Sequence, residues 1–297
     1  MPSYVLYALS AYLLLALHGV ADKFMLTNTA KHPVVYTFYA GTSSIFVFIL
    51  APFGLKMLPF NDFLLALLSG AGFLYATYFL YKAIQLSSVS RILPIEGGLV
   101  PLFTYIFAYI FLDERLTLNQ SIAFLLLTSG AVIMSLRSEG GEWKFKALRD
   151  ATIAAVLFAG SLVLIKHVYD VGGLVSGLVW SRLGLFGAAM LYLAVPSYRK
   201  LIFNAPKTTN AKNASLFYGT RAVGAAAGLL QNYAISIGSV VIVNALQGFQ
   251  FIFVLFLTSV LSQYYPRILH ERINLQTVMV KISAIVLITT GLALLGL

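Results

Sequence analysis

The segment AIQLSSV at residues 83–89 recurs as AISIGSV at residues 234–240, which is 151 residues further along the chain. At the same offset, EG at residues 96–97 corresponds to QG at residues 247–248. Two further pairs follow in the same order: ER at 114–115 with ER at 271–272, and TSGA at 128–131 with TTGL at 289–292. This ordered self-similarity predicts that the chain contains two copies of one structural unit.

The rest of the sequence is apolar enough to lie almost wholly within a membrane. Of the 297 residues, 60% are hydrophobic and 10% are charged, whereas soluble domains carry roughly 25% charged residues. A bilayer crossing needs roughly 20 apolar residues, and lipid cannot satisfy free backbone groups. We therefore predict an all-α integral membrane protein with ten transmembrane helices, at 3–27, 33–52, 61–86, 88–112, 117–137, 149–169, 173–196, 213–237, 239–263 and 274–297.

Each copy of the repeat contains five of these ten segments. An odd number of crossings places the second copy upside down relative to the first, which is the inverted-repeat plan of many secondary transporters. The predicted division is a first repeat at 1–137 (helices 1–5), a linker at 138–148 and a second repeat at 149–297 (helices 6–10).

The distribution of basic residues predicts the orientation. The net charge is +10, and 14 Lys and Arg residues fall in odd-numbered connections against 3 in even-numbered ones. The positive-inside rule then places the odd connections in the cytoplasm and both termini outside. We expect a multi-pass protein of the cell (inner or plasma) membrane. The sequence has no cysteine, so disulfides and thiolate metal sites are excluded.

The stretch LDERLT at 112–117, followed by a helix ending in TSGAV at 128–132, resembles the hallmark of EamA domains in the drug/metabolite transporter superfamily. A degenerate second copy is HERIN at 270–274, whose helix ends in TG at 290–291. The resemblance covers essentially the whole chain as two EamA units. It implies a transport cavity lined by helices 3, 4, 8 and 9 with parts of helices 1 and 6. Many EamA units carry Trp in the first helix, where this chain has His18. The family commonly places both termini in the cytoplasm, contrary to the charge distribution, and we retain the orientation predicted by charge.

Glu96 is the first candidate for a functional group within a span. An ionisable residue in hydrocarbon is costly, so it is expected to face the interior of the bundle. Pro94, Gly97, Gly98 and Pro101 flank Glu96, which predicts a kinked or opened helix. A carboxylate at that point is suited to proton or cation coupling; the alternative is a structural Glu that hydrogen-bonds a neighbouring helix.

Seven further residues complete the predicted substrate-binding set. Asn244, Gln247 and Gln250 are spaced three residues apart along one helix side, and the first two could read a polar substrate or join helices. Two arginines within spans could neutralise Glu96 or hold an anion, and helix 3 offers aromatic rings with hydroxyls. The seven residues are Gln247, Asn244, Arg182, Arg221, Tyr78, Tyr75 and His18.

The four histidines lack zinc-protease spacing, and no phosphate-binding loop or nucleophile elbow is present. We therefore predict no enzyme activity, no metal and no cofactor. The predicted function is secondary active transport of a small polar or amphipathic metabolite by alternating access, with protons as the candidate coupling ion. The alternatives are a flippase for a lipid-linked group and a non-transporting scaffold or receptor. The expected partners are a small-molecule substrate, the lipid bilayer and protons, with no nucleic acid, in a monomer or homodimer.

Overall fold

The computed structural model describes residues 2–28, 32–87, 89–135, 145–205, 211–262 and 275–296. Helices form nearly all of this part of the chain. The α-helices are α1 (Ser3–Asn28), α2 (Pro33–Ser43), α3 (Phe60–Leu86), α4 (Val89–Phe111), α5 (Leu118–Ser135), α6 (Phe145–Leu191), α7 (Pro196–Asn204), α8 (Ala211–Ile237), α9 (Val240–Ala245), α10 (Gly248–Ser262) and α11 (Leu275–Gly296), with 3₁₀ turns at Ser44–Phe53 and Tyr192–Ala194.

The predicted all-helical fold is confirmed, because a helix occupies each of the ten predicted segments within the described residues. Among the described residues, five stretches are long and apolar enough to cross a membrane: Ser3–Val20, Pro33–Phe53, Phe60–Leu86, Phe145–Ala194 and Val240–Leu257. The fourth of these covers 50 residues, more than twice the length that one crossing needs. It therefore accounts for two of the predicted segments.

A single glycine separates those two crossings within α6. Gly173 has φ 74° and ψ 170°, a combination that residues with a side chain rarely adopt. The Tyr169 ring lies against Gly177, where an added Cβ would be 2.5 Å from Cδ1. Residues on either side of Gly173 therefore touch, and the two parts of α6 form a tight hairpin, here called the α6 hairpin (145–191).

The predicted opening of the helix around Glu96 is wrong. The helix α4 is continuous from Val89 to Phe111. A Cβ added at Gly98 would lie 2.7 Å from a Val132 methyl group on α5, so this glycine permits close helix packing. The break occurs instead in the second copy, where residues 246–247 separate α9 from α10.

The main helix pairs that join the two copies each have an equivalent pair in which the roles of the copies are reversed. The helix α1 lies along α8, and the first part of the α6 hairpin lies along α3. The helix α1 also contacts α10, as the α6 hairpin contacts α4, and α5 packs along α11. Exchanging the first five crossings with the second five leaves this set of pairs unchanged, which is the pattern expected of two related repeats.

Helix ends meet at two opposite faces of the bundle. The first contains Asp62, Glu114 and Ser239, near the start of α1, and we call it the terminal face. The second contains Lys82, Arg149, Arg199 and Lys200, and we call it the basic face after these residues. Contacts between distant elements support the assignment: Asp62 Oδ1 lies 3.0 Å from His167 Nε2 at the terminal face.

Buried apolar residues form one large cluster and three smaller ones within the described part of the chain. The large cluster lies next to the terminal face and joins α1, α3, α4, α5, the α6 hairpin, α8, α9, α10 and α11. Nearer the basic face, the described residues form one cluster on α2, α3, α6 and α7 and two on α3, α4 and α6.

Candidate functional site

Hydrogen bonds between helices tie the terminal half together. The Tyr12 hydroxyl donates to the Val243 carbonyl at 2.8 Å, and Gln231 Nε2 donates to the Tyr12 oxygen at 3.3 Å. The Tyr169 hydroxyl donates to Asn232 Oδ1 at 2.6 Å. These bonds join α1, α6, α8 and α9 beneath the terminal face.

A cavity of about 300 Å³ lies at the terminal face, lined by Leu112, Glu114, Lys166, Asp170, Gly238 and Ser239. The Ser239 hydroxyl donates to a Glu114 carboxylate oxygen, and Lys166 pairs with Asp170 at 2.8 Å. Burial raises the pKa of Glu114, although the Ser239 hydrogen bond opposes this shift. The loop between α4 and α5 is thereby joined to the loop between α8 and α9.

Glu96 lies in the basic half, on α4, where it is half-buried. In the described part of the chain, the Glu96 carboxylate makes no hydrogen bond and no ion pair. The structure does not bring Glu96 together with Arg182 or Arg221, the charge partners that we expected as one possibility.

Arg182 lies about eight residues into the second part of the α6 hairpin and is also half-buried. Its guanidinium carbon is 5.7 Å from the centroid of the Phe73 ring, and it lies close enough to the Tyr169 hydroxyl to interact electrostatically. The described residues supply no acidic group for this cation. An arginine within a span and without a carboxylate partner suits an anionic group on a ligand.

His18 and Arg221 are brought together by α1 and α8. An Arg221 Nη lies 3.0 Å from His18 Nε2, and its guanidinium carbon is 4.8 Å from the Tyr36 ring centroid. Gly224 is one turn beyond Arg221, and a Cβ there would lie 3.0 Å from the His18 ring. The glycine therefore makes room for the imidazole.

Tyr75 and Tyr78 both pack against Tyr192. The ring centroids are 6.0 Å and 6.2 Å apart, respectively. Tyr192 is also 6.0 Å from Tyr198 on α7 and its hydroxyl contacts Thr37. These four tyrosine rings form an aromatic wall toward the basic face, and their contacts with one another hold them in place.

Asn244 and Gln247 lie on either side of the break between α9 and α10. The Asn244 amide is buried and donates to the Val240 carbonyl of its own helix at 2.8 Å, whereas Gln247 is half-buried. Backbone N–H groups bond three residues back at Gln247 and Gln250. Because side chains three apart eclipse in such turns, the break preserves the alignment of the three amides.

The sequence reasoning missed Asp150. This carboxylate is fully buried at the start of α6, with Arg149 Nη2 at 2.8 Å and Lys82 Nζ at 3.2 Å. Lys82 and Arg149 were counted as connection residues, but they neutralise this acid. It also missed the partly buried pairs of Tyr12 with Gln231 and Tyr169 with Asn232. A signal was present, because Gln231 and Asn232 are adjacent amides within an apolar segment.

Comparison with known proteins agrees with this architecture. Residues 2–136 match the model of the EamA-like transporter family. One crystal structure superimposes with a TM-score of 0.67, covering 98% of this chain and 94% of its own at 18% sequence identity, a likeness that shows the fold alone. No curated protein matches the chain. The expected resemblance is thus confirmed for the first unit, whereas the expected second EamA unit stays a prediction. Residues 2–136 form a domain of the EamA-like transporter family, whose members are membrane transporters and not enzymes.

Proposed function

We propose that this protein is a secondary transporter that moves a small polar or amphipathic metabolite by alternating access. The conformation described above would be open to the basic face and closed at the terminal face. The observation that supports this most directly is the closed terminal half, where one continuous apolar cluster and the hydrogen bond of Tyr12 to Val243 join helices of both repeats.

The charged residues support this proposal. Glu96 and Arg182 are half-buried, and within the described residues neither has an ion-pair partner. Keeping an isolated charge within a membrane costs several kcal/mol by many estimates, so a scaffold would gain by losing it. A transporter gains from such a charge if the substrate or a proton neutralises it. In this proposal Glu96 binds a proton or a cationic group, and Arg182 binds an anionic group.

We assign roles to the remaining predicted residues from their positions in the bundle. Tyr75, Tyr78 and the pair of His18 with Arg221 would line the basic half of the pathway, and Gln247 would meet the substrate deeper in the bundle. Asn244 is more deeply buried and would hold the break between α9 and α10 in shape. The coupling would be proton exchange or facilitated exchange.

The two repeats would supply the moving parts. We retain 1–137 and 149–297 as inverted repeats, and the exchange of packing pairs between the halves supports that division. Rocking one repeat against the other would close the basic half and separate the terminal half around a fixed site.

Cysteine accessibility tests the proposed conformation directly, since the chain has no cysteine of its own. We expect Glu96→Cys to react with a membrane-impermeant maleimide applied from the basic face. Val241→Cys, at a buried position in α9, should react far more slowly. Leu102→Cys, 42% exposed on α4, is a lipid-facing control that should stay unreactive because a thiolate does not form in hydrocarbon. Equal labelling of Glu96→Cys and Val241→Cys, or no labelling of Glu96→Cys, would contradict the proposal.

The terminal face should open less readily as the pH falls. Burial raises the pKa of Glu114 in the closed arrangement, so the closed state binds a proton that an open, hydrated Glu114 would release. Lowering the pH protonates Glu114, which removes the cost of burying its carboxylate and favours the closed state. Maleimide reacts with the thiolate, whose fraction itself falls with pH, so each labelling rate from the terminal face is divided by that of Arg115→Cys, a position 69% exposed at the same face, at the same pH. We expect this normalised rate for Val241→Cys to be several-fold lower at pH 5 than at pH 8. In a Glu114→Gln background the rate should be slow at both pH values; an unchanged pH dependence would rule out Glu114 as its source.

A further inference from the structure

The short helix α7 lies at the basic face and has two chemically distinct sides. Tyr198 and Ile202, one turn apart, point into the bundle, and Ile202 is fully buried. Arg199 and Lys200 are exposed on the other side. A helix with an apolar inner stripe and basic outer residues is typical of segments that lie in the plane of a membrane interface.

Contacts with the bundle hold α7 in place. The Tyr39 hydroxyl of α2 donates to the Ile202 carbonyl at 3.1 Å, and the rings of Tyr198 and Tyr192 are 6.0 Å apart. The helix is therefore fixed to the same wall that contains Tyr75 and Tyr78.

The chain around α7 is strongly and uniformly basic. No Asp or Glu occurs between Asp170 and Glu271 in the sequence, whereas Arg199, Lys200, Lys207 and Lys212 all fall within it. The exposed Arg199 and Lys200 thus have no acidic neighbour along this part of the chain. A surface of this kind is complementary to the anionic lipids of a membrane leaflet.

A groove of about 540 Å³ runs beside α7, lined by Ser197, Lys200, Leu201, Asn204 and Ala205. Three of these residues offer hydrogen-bond donors and one of the three carries a positive charge. Leu201 and nearby Phe203 are exposed by 39% and 57%, so apolar side chains lie next to the polar ones. The groove therefore places hydrogen-bond donors and one positive charge beside an exposed apolar surface.

We propose that α7 lies in the membrane interface at the basic face and that its groove binds the phosphate-bearing headgroup of an anionic phospholipid. Lys200 and Arg199 contact the phosphate, Ser197 and Asn204 hydrogen-bond the headgroup, and Leu201 and Phe203 lie among the upper acyl chains. Since α7 packs on Tyr192, the bound lipid stabilises the aromatic wall of the basic half.

Lipid-dependent thermal stability of the purified full-length chain tests this proposal without any substrate. We expect phosphatidylglycerol to raise the melting temperature more than phosphatidylcholine does. In the double variant Arg199→Gln/Lys200→Gln, the apparent affinity for phosphatidylglycerol should fall about 25-fold, at roughly fivefold for each basic residue near an anionic surface. The matched control Lys56→Gln/Lys146→Gln removes two exposed lysines elsewhere and should keep the wild-type response.

Three outcomes would overturn the proposal. One is equal stabilisation by the two lipids in the wild type. Another is an equal loss in the control variant, which would indicate net charge alone. The third is full stabilisation by inorganic phosphate, which would indicate an anion site that needs no lipid. Melting without added lipid should be the same in all variants, which confirms that each is folded.

Discussion

Substrate uptake into proteoliposomes is expected to fall by about 10- to 100-fold in Glu96→Gln and in Arg182→Ala, while both variants remain folded. A hydrogen bond to a charged group is worth roughly 1.5–3 kcal/mol, which corresponds to that range. Within the described residues neither side chain has an ion-pair partner. Each substitution therefore removes an interaction with substrate or proton and leaves no charged side chain of the protein without its partner.

Matched substitutions at an exposed ion pair control for net charge. Asp113 and Arg115 pair at 2.9 Å with side chains 79% and 69% exposed, so Asp113→Asn and Arg115→Ala should transport at the wild-type rate. A metabolite screen by thermal shift on the wild-type protein supplies the substrate, since a bound ligand stabilises the native state by mass action. Wild-type uptake in both Glu96→Gln and Arg182→Ala would show that the two residues are structural.

Gly184→Ala is expected to destabilise the folded protein strongly, by about 3 kcal/mol or more. A Cβ at position 184 would lie 2.2 Å from the Leu67 carbonyl oxygen, and one at Gly70 would lie 1.8 Å from the Ser181 carbonyl oxygen. The two glycines face each other where α3 crosses the α6 hairpin. Backbone atoms form both contacts, so no side chain can rotate away to make room.

Gly187→Ala provides the control on the same helix, because nothing lies within 4 Å of its added Cβ. Alanine is favoured over glycine within a helix by about 1 kcal/mol, so this variant should be as stable as the wild type or slightly more so. Thermal unfolding in detergent measures both variants. Similar melting temperatures for Gly184→Ala and Gly187→Ala would show that α3 and the α6 hairpin are not in close contact there.

The helical architecture was predictable because it depends on local composition. Apolar length and Pro/Gly punctuation set the number of crossings, and lipid leaves the backbone no alternative to a helix. The structural role of each glycine was not predictable. Gly98 resembles a helix-opening residue in the sequence, but whether a glycine opens a helix or admits a neighbour depends on what packs against it, and here Val132 does.

The individual residues of the candidate site were predictable from the sequence, but the contacts between them were not. The rarity of charges within the spans identified Glu96, Arg182 and Arg221, but not the side chains that lie next to them. Arg221 contacts His18 across helices that are far apart in sequence. The pairing of Lys82 with Asp150 has the same origin, and it shows that a basic residue near a helix end can neutralise a buried acid.

Gly173 has a consequence for how this part of the chain can move. Only this residue departs from helical geometry between Phe145 and Leu191, so no loop separates the two crossings at the terminal face. A turn this short leaves no slack between the two crossings, so neither can slide along the other without breaking helical hydrogen bonds next to Gly173. The two segments are therefore expected to shift as one unit whenever this part of the bundle moves.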